Sequence, residues 1–336
     1  MKVLVTGGGG FLGRYVVEQL VARGDEVISF SRGTYPELAQ LGVQTIQGDL
    51  QDAEAIKKAC VGVEAVFHTA ARPGFWGTRA SFYGPNVIGT ENVIAACRAN
   101  GVSRLVYTSS PSVIFDNTAQ SGIDECHPYP QKYENFYSET KALGEQKVIQ
   151  ANGPDLLTCA LRPHLIFGPR DRHLLPRVIA AGRAGTLPQV GDGRNRVDLT
   201  YVQDAARAHL LAADRLVPGS PVAGSVYFIS QDEPVMLWPW LNALFAALNV
   251  PPIRLRVPLW TARTIGGVLE WLYRTFKLPG EPRLTRFLAS ELALDHFYDI
   301  SRAKRDFGYR PQIDMAEATR RTIEFLKDTG QEHTSR

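Results

Sequence analysis

The chain carries almost no excess charge. Its 336 residues hold 37 Lys and Arg against 34 Asp and Glu, a formal net charge of +3. That balance excludes the strongly basic surface with which nucleic-acid binders meet phosphate, so no nucleic-acid partner is expected. Cysteine is scarce as well. Cys60, Cys97, Cys126 and Cys159 lie far apart, with no C-x-x-C pair, which argues against a zinc site and a disulfide framework. Buried free thiols in a reducing compartment are the expectation, and no metal centre is expected. No apolar run reaches the roughly 18–20 residues that span a bilayer. Internal repeats and low-complexity segments are missing too. A strand begins at once with Lys2-Val3-Leu4-Val5-Thr6. The expectation is therefore a cytoplasmic protein with no cleaved signal peptide.

What the chain does have is alternation. Val3–Val5, Glu26–Phe30, Val43–Gln47, Ala65–Thr69, Leu105–Ser109 and Leu157–Leu161 read as strands. Between them, Phe11–Arg23, Asp52–Cys60, Arg79–Asn100 and Glu134–Ala151 read as helices, with apolar residues such as Leu12, Val16 and Leu20 at helical spacing. Strands alternating with helices predict an α/β fold, a doubly wound parallel sheet of Rossmann type. Residues 1–165 are assigned to this dinucleotide-binding domain. After Pro163, Pro and Gly become frequent. Helices are expected at Asp204–Leu216, Met236–Leu248 and Met315–Lys327, and strands at Arg196–Val202 and Ser225–Ile229. Residues 166–330 are read as a smaller, mostly helical substrate lobe, with a blurred boundary and some segments returning to the first domain.

Gly7, Gly10 and Gly13, with Phe11 and Leu12 between the last two, join the first strand to the first helix. Glycine permits the tight turn there, lets the backbone approach a pyrophosphate, and allows close helix–strand packing. The helix N-terminus presents free N–H groups to the phosphates. The second strand ends Ser29-Phe30-Ser31-Arg32-Gly33. An acidic residue at that edge would bind a ribose 2′-hydroxyl. None stands there, and Ser31 with Arg32 favours NADP(H), leaving NAD(H) as the alternative cofactor. Asp49, followed by Leu50, is positioned either to meet the adenine amino group or to cap the helix that begins near Asp52.

Tyr137 and Lys141 are four residues apart on a predicted helix and so share a face. A nearby ammonium lowers the pKa of a phenol, normally about 10, and would fit Tyr137 to exchange a proton with a substrate oxygen. Ser110, in Tyr107-Thr108-Ser109-Ser110, closes the fifth strand at the sheet end where ligands bind. Asn86 is expected to tie its helix to the fifth strand.

This ensemble resembles the extended short-chain dehydrogenases/reductases. The likeness continues through Leu161-Arg162-Pro163-His164-Leu165-Ile166-Phe167-Gly168-Pro169 and through Arg196–Ala206. It implies that Tyr137 is the general acid/base, that Lys141 holds the nicotinamide ribose and tunes Tyr137, and that Ser110 is the catalytic hydroxyl. It also implies nicotinamide contacts near Pro163 and Leu165, a cofactor contact at Ala70, and a homodimer paired through helices equivalent to 79–100 and 134–151. Phe67-His68-Thr69-Ala70-Ala71-Arg72-Pro73-Gly74-Phe75-Trp76-Gly77 and Tyr107–Val113 resemble the 3β-hydroxysteroid dehydrogenase branch. Within that branch the chain is similar to bacterial 2-alkyl-3-oxoalkanoate reductases, which implies a small hydrophobic substrate, a long-chain 3-oxo acid or a sterol-like ketone. Phe75 and Trp76 are expected to line the cleft. Arg72, Arg170 and His173 are candidates to meet a substrate carboxylate.

Two other functions compete. A nucleotide-sugar epimerase or dehydratase of the same family could use Arg194 and Arg196 on a diphosphate. A regulatory NADP(H)-sensing binder would not need Ser110, Tyr137 and Lys141. Finally, residues 259–278 interleave Trp260, Ile265, Val268, Leu269, Trp271, Leu272 and Phe276 with Arg263, Arg274 and Lys277. This pattern suits either a helix packed over the substrate pocket or peripheral contact with a membrane.

Overall fold

The computed structural model describes residues 1–334. Seven parallel strands form the main sheet, in the order Ser225–Ile229, Leu157–Pro163, Arg104–Thr108, Ala65–His68, Lys2–Thr6, Glu26–Ser31 and Gln44–Gln47. The central strands Lys2–Thr6, Ala65–His68 and Arg104–Thr108 are largely apolar because each face is covered, whereas the edge strand Gln44–Gln47 is polar and mostly exposed. Val3, Val5, Phe67 and Val106 join a core with Leu12, Val16 and Leu20 of helix Phe11–Ala22. Their neighbours Leu4, Val66 and Leu105 point the other way, onto Val93, Ile94 and Val148. The strand order reverses between Lys2–Thr6 and Ala65–His68, which opens a crevice where the glycine loop faces Thr69–Ala71.

Helix Arg79–Asn100 is not uniform. Arg79–Tyr83 and Gly89–Ala99 are α-helical, and Gly84–Ile88 between them forms a π-turn. Pro85 lacks an N–H and crowds the preceding turn, so a wider turn relieves the helix there. The expected strand Arg196–Val202 is two short strands, Arg196–Val197 and Thr200–Tyr201, and Val202 already opens the helix to Arg215.

The second lobe is less purely helical than its composition implies. It holds a four-stranded sheet ordered Val235–Met236, Arg196–Val197, His296–Tyr298 and Gln120–Ile123. The last of these comes from the first half of the chain, while Ser225–Ile229 returns to the main sheet. Helices Leu237–Ala247, Leu259–Thr275 and Arg286–Ala293 pack around it. Cys60, Cys97 and Cys159 are buried, Cys126 is exposed, and all four are free thiols.

Candidate active site

A cleft of about 960 Å³ runs across the crevice between the lobes. At one end lie Ser31, Arg32, Asp49 and Leu50; in the middle Gly7, Gly10, Phe11, Leu12, Gly13 and Ala70; at the other end Ser110, Tyr137, Lys141, Pro163 and Leu165. The fold thus brings to one surface the residues that the sequence offered for catalysis and for the cofactor. The loop is shaped for close approach. Gly7 has φ +73°, and a Cβ on Gly13 would stand 2.1 Å from the Gly7 carbonyl oxygen. Gly10 caps the helix without a side-chain hydrogen bond, and no acidic residue stands in the first turn. Free N–H groups with no competing carboxylate fit a dinucleotide diphosphate. Arg32 is exposed, and Ser31 Oγ accepts from Gly9 N at 3.4 Å. Asp49 accepts from Gln51 N at 2.9 Å, and Asp52 is the residue that caps the following helix, through Ala55 N at 3.0 Å.

Asn135 caps helix Phe136–Gln150, accepting from Ser138 N at 2.8 Å. That helix carries Tyr137 and Lys141 into the cleft. Ser110 stands at the fifth strand's exit, where its Oγ accepts from Ser112 N at 3.3 Å, and it lines the cleft together with Tyr137. Burial pushes the Tyr137 phenol up, and the Ser110 hydroxyl offsets part of this. Lys141 does not supply the expected lowering. Its Nζ donates to Tyr107 Oη at 2.7 Å and to the Thr108 carbonyl at 2.6 Å, 4.0 Å from the centre of the Tyr107 ring. Burial brings the Lys141 ammonium down to about 7, so much of its charge is lost near neutral pH, where it would have to act on the phenol. Tyr107 was not expected in the site. It is the polar residue in the apolar run Leu105-Val106-Tyr107, and that was its signal in the sequence.

Asn86 lies in the π-turn, but it does not tie its helix to the fifth strand. Its Oδ1 accepts from Arg72 N at 2.7 Å, and its Nδ2 donates to Thr140 Oγ1 at 3.1 Å. It joins the loop after the fourth strand to helix Phe136–Gln150. One helical turn beyond Lys141, Glu145 takes Arg162 Nε at 2.9 Å and Nη2 at 2.6 Å, and Tyr129 Oη at 2.6 Å. Burial alone would raise the Glu145 carboxyl, but Arg162, Ser109 and Tyr129 hold it below its usual range.

The substrate end is aromatic. Phe75 meets the Tyr137 ring edge-on at 5.9 Å and the Phe287 ring at 4.8 Å. Trp76 is not on the cleft wall; it packs against Tyr273 and under the Arg274 guanidinium. Of the carboxylate candidates, His173 lines the cleft, whereas Arg170 is held by both oxygens of Glu18 at 2.6 and 2.8 Å. Sequence reasoning missed Phe287 and Glu291, one helical turn apart on Arg286–Ala293, and the partner of His164. His164 Nε2 lies 2.6 Å from His296 Nδ1, and His296 Nε2 lies 2.7 Å from the Glu291 carbonyl. A carbonyl only accepts, so His296 carries its proton on Nε2, and His164 Nε2–H donates to His296 Nδ1. The ligand atoms of His164, His296 and the Glu291 carboxylate lie within 4.8 Å of one another. Even so, two imidazoles on one tetrahedral zinc sit roughly 3.3 Å apart, so the 2.6 Å spacing describes a shared proton rather than a metal clamp.

The family model described as "3-beta hydroxysteroid dehydrogenase/isomerase family" matches residues 4–258. The chain is 49% identical to a 2-alkyl-3-oxoalkanoate reductase of Stenotrophomonas maltophilia, over 96% of this chain and 98% of the relative. It is 46% identical to a protein of the same name from Shewanella oneidensis, over 94% and 84%. A mouse sterol-4-alpha-carboxylate 3-dehydrogenase (decarboxylating) is 37% identical over 96% and 90%. Among solved structures, gox2253 superposes with a TM-score of 0.79 at 27% identity, covering 98% of both chains. MoeE5, in complex with UDP-glucose and NAD, gives 0.76 at 25%, covering 98% of this chain and 99% of that one. The chain therefore belongs to the 3-beta hydroxysteroid dehydrogenase/isomerase family, among the NAD(P)-dependent extended short-chain dehydrogenases/reductases.

Proposed function

We propose that this oxidoreductase reduces the 3-oxo group of a long-chain, 2-branched acid to the alcohol, with NADPH as reductant and with Tyr137, Ser110 and Lys141 as the catalytic set. One observation carries the reading: Tyr137 and Ser110 line the same cleft, where the Tyr137 ring meets a wall of Phe75 and Phe287. The nicotinamide supplies the hydride when bound. Ser110 holds the substrate oxygen, and Tyr137, protonated at neutral pH because burial raises its pKa, gives its proton to that oxygen. The glycine loop would hold the diphosphate, Arg32 the 2′-phosphate, and Lys141 the ribose.

Both kinds of relative are named for substrates that carry a carboxylate near position 3. Of Arg72, Arg170 and His173, it is His173 that lines the cleft and could meet such a group. The epimerase reading has less support. Arg196 stacks on Phe297, and neither it nor Arg194 lines the cleft. The cleft's arginine and lysine are Arg32 and Lys141, which leaves no guanidinium at the substrate end for a second diphosphate. A homodimer through helices 79–99 and 136–150 belongs to the same reading.

The test is NADPH consumption by the purified protein with a panel of 3-oxo acids of rising chain length, 3-ketosteroids and UDP-sugars. Turnover that rises with chain length is expected. Turnover confined to a UDP-sugar would overturn the reading.

A further inference from the structure

Helix Leu259–Thr275 has an outer face that nothing among the described residues covers. Trp260, Thr264, Val268, Trp271 and Thr275 follow one another at spacings of three and four, with Ile265 and Leu272 beside them. At about 100° per residue these seven fill an arc of about 140° that carries no charge. Trp260 is 72% exposed, Trp271 59% and Val268 52%, and the apolar surface runs on into Phe276 at 62%. Exposed large side chains gathered on one patch mark an interaction surface. The inner face is built differently. A Cβ on Gly266 would press against the Thr285 backbone at 2.7 Å. Glu270 is buried and grips Arg286, and Arg263 reaches Glu134 at 2.7 Å.

Charge decides among occupants. Between residues 251 and 283 the exposed cations are Arg254, Arg256, Arg274, Lys277 and Arg283, at both ends of the apolar face. The exposed carboxylate there is Glu281, already paired with Arg177 at 2.9 Å. A second copy of this face would bring like charges together. A surface that is apolar along its centre, carries tryptophans, and is rimmed by cations complements the interface of an anionic bilayer.

We propose that Leu259–Leu278 lies in the headgroup region of an anionic membrane, with Trp260, Val268, Trp271 and Phe276 inserted and the flanking cations on lipid phosphates. The helix is about 25 Å long and rests flat; among the described residues, no helix is long and apolar enough to cross a membrane. Its inner face packs on helix Arg286–Ala293, which places Phe287 and Glu291 on the cleft wall. Tyr273 and Arg274 hold Trp76, next to Phe75. The membrane face is thus one layer of side chains from the catalytic cleft, and an apolar substrate would pass from lipid to cleft with little exposure to water. The proposal stands on the surface alone and does not require the substrate assigned above.

Flotation of the full chain with vesicles tests it. With phosphatidylcholine–phosphatidylglycerol vesicles at low salt the protein is expected to float. It should sediment with pure phosphatidylcholine, and high salt should weaken the association. The double variant Trp260→Glu/Val268→Glu should lose flotation while keeping wild-type turnover on a short, water-soluble ketone, which shows that it is folded. A wild-type protein that stays at the bottom of the gradient with anionic vesicles at low salt overturns the proposal. So does a variant whose only change is conversion of a dimer to a monomer in sedimentation velocity, because the face would then be a contact between copies.

Discussion

Arg162 and Glu145 clasp each other with two hydrogen bonds in a place water does not reach, at 2% and 0% side-chain exposure. The pair joins helix Phe136–Gln150 to strand Leu157–Pro163, which leads into the cleft. Two charges out of water are costly unless each answers the other. Replacing Arg162 with Met should therefore destabilise the fold by roughly 3–5 kcal/mol, by stranding a buried carboxylate. Adding Glu145→Leu should recover much of that loss. Thermal midpoints of the single and double variants decide; a double variant no better than the single would mean that the pair does more than neutralise itself.

Tyr137→Phe should abolish turnover while sparing the dinucleotide. The ring stays and keeps its edge contact with Phe75, but the proton is gone, a loss of about 10²–10⁴ in rate. Titration with NADPH should give a dissociation constant within a few-fold of wild type. Parallel loss of binding and rate would move the fault from proton transfer to the architecture of the cleft.

Lys141 makes stability depend on pH. Its folded value of about 7 lies below the ordinary lysine value of about 10.4. Between those two values the unfolded chain holds a proton that the folded chain has shed, so stability rises as pH climbs from about 7 to about 10, and the full penalty applies below 7. The span corresponds to at most about 4–5 kcal/mol. Lys141→Met should be inactive, more stable than wild type at pH 7, and flatter across that window. Urea midpoints at pH 7 and pH 9 measure it; equal slopes for both proteins would refute the account.

Arg32 should set cofactor choice. Arg32→Glu removes a cation and places a carboxylate where a 2′-phosphate would sit. Affinity for NADPH should fall by about 10- to 100-fold, the worth of a charge-assisted contact, while NADH binds as well or better. Fluorescence titrations with both cofactors give the ratio. An unchanged ratio would make Arg32 a solvated loop charge and leave the preference elsewhere.

The glycine loop and the Tyr137–Lys141 pair were legible as lining one cleft because their signals are local. Gly7, Gly10 and Gly13 lie within one turn, and Tyr137 and Lys141 share one helix face. Much of the substrate half was not, because its residues meet only through the fold. His164 finds His296 across 132 positions. Gln120–Ile123 is short, contains Gly122 at φ +66°, and has no periodicity to betray it until His296–Tyr298 pairs with it. Lys141 illustrates a subtler limit. Its spacing from Tyr137 was correct, yet helical spacing says nothing about whether the longer side chain reaches sideways to its neighbour or down to Tyr107.

The strand exchange between the lobes also bears on how the chain can be made. A ribosome delivers the first six strands of the main sheet long before Ser225–Ile229 arrives to cover the open edge of Leu157–Pro163. Gln120–Ile123 waits longer still, for a partner near the end of the chain. A nascent fragment ending near residue 165 therefore presents an uncovered edge of buried-type sequence, a template for misassociation. Expression of that fragment alone is expected to give aggregates, and the chain should behave in synthesis as one late-closing unit.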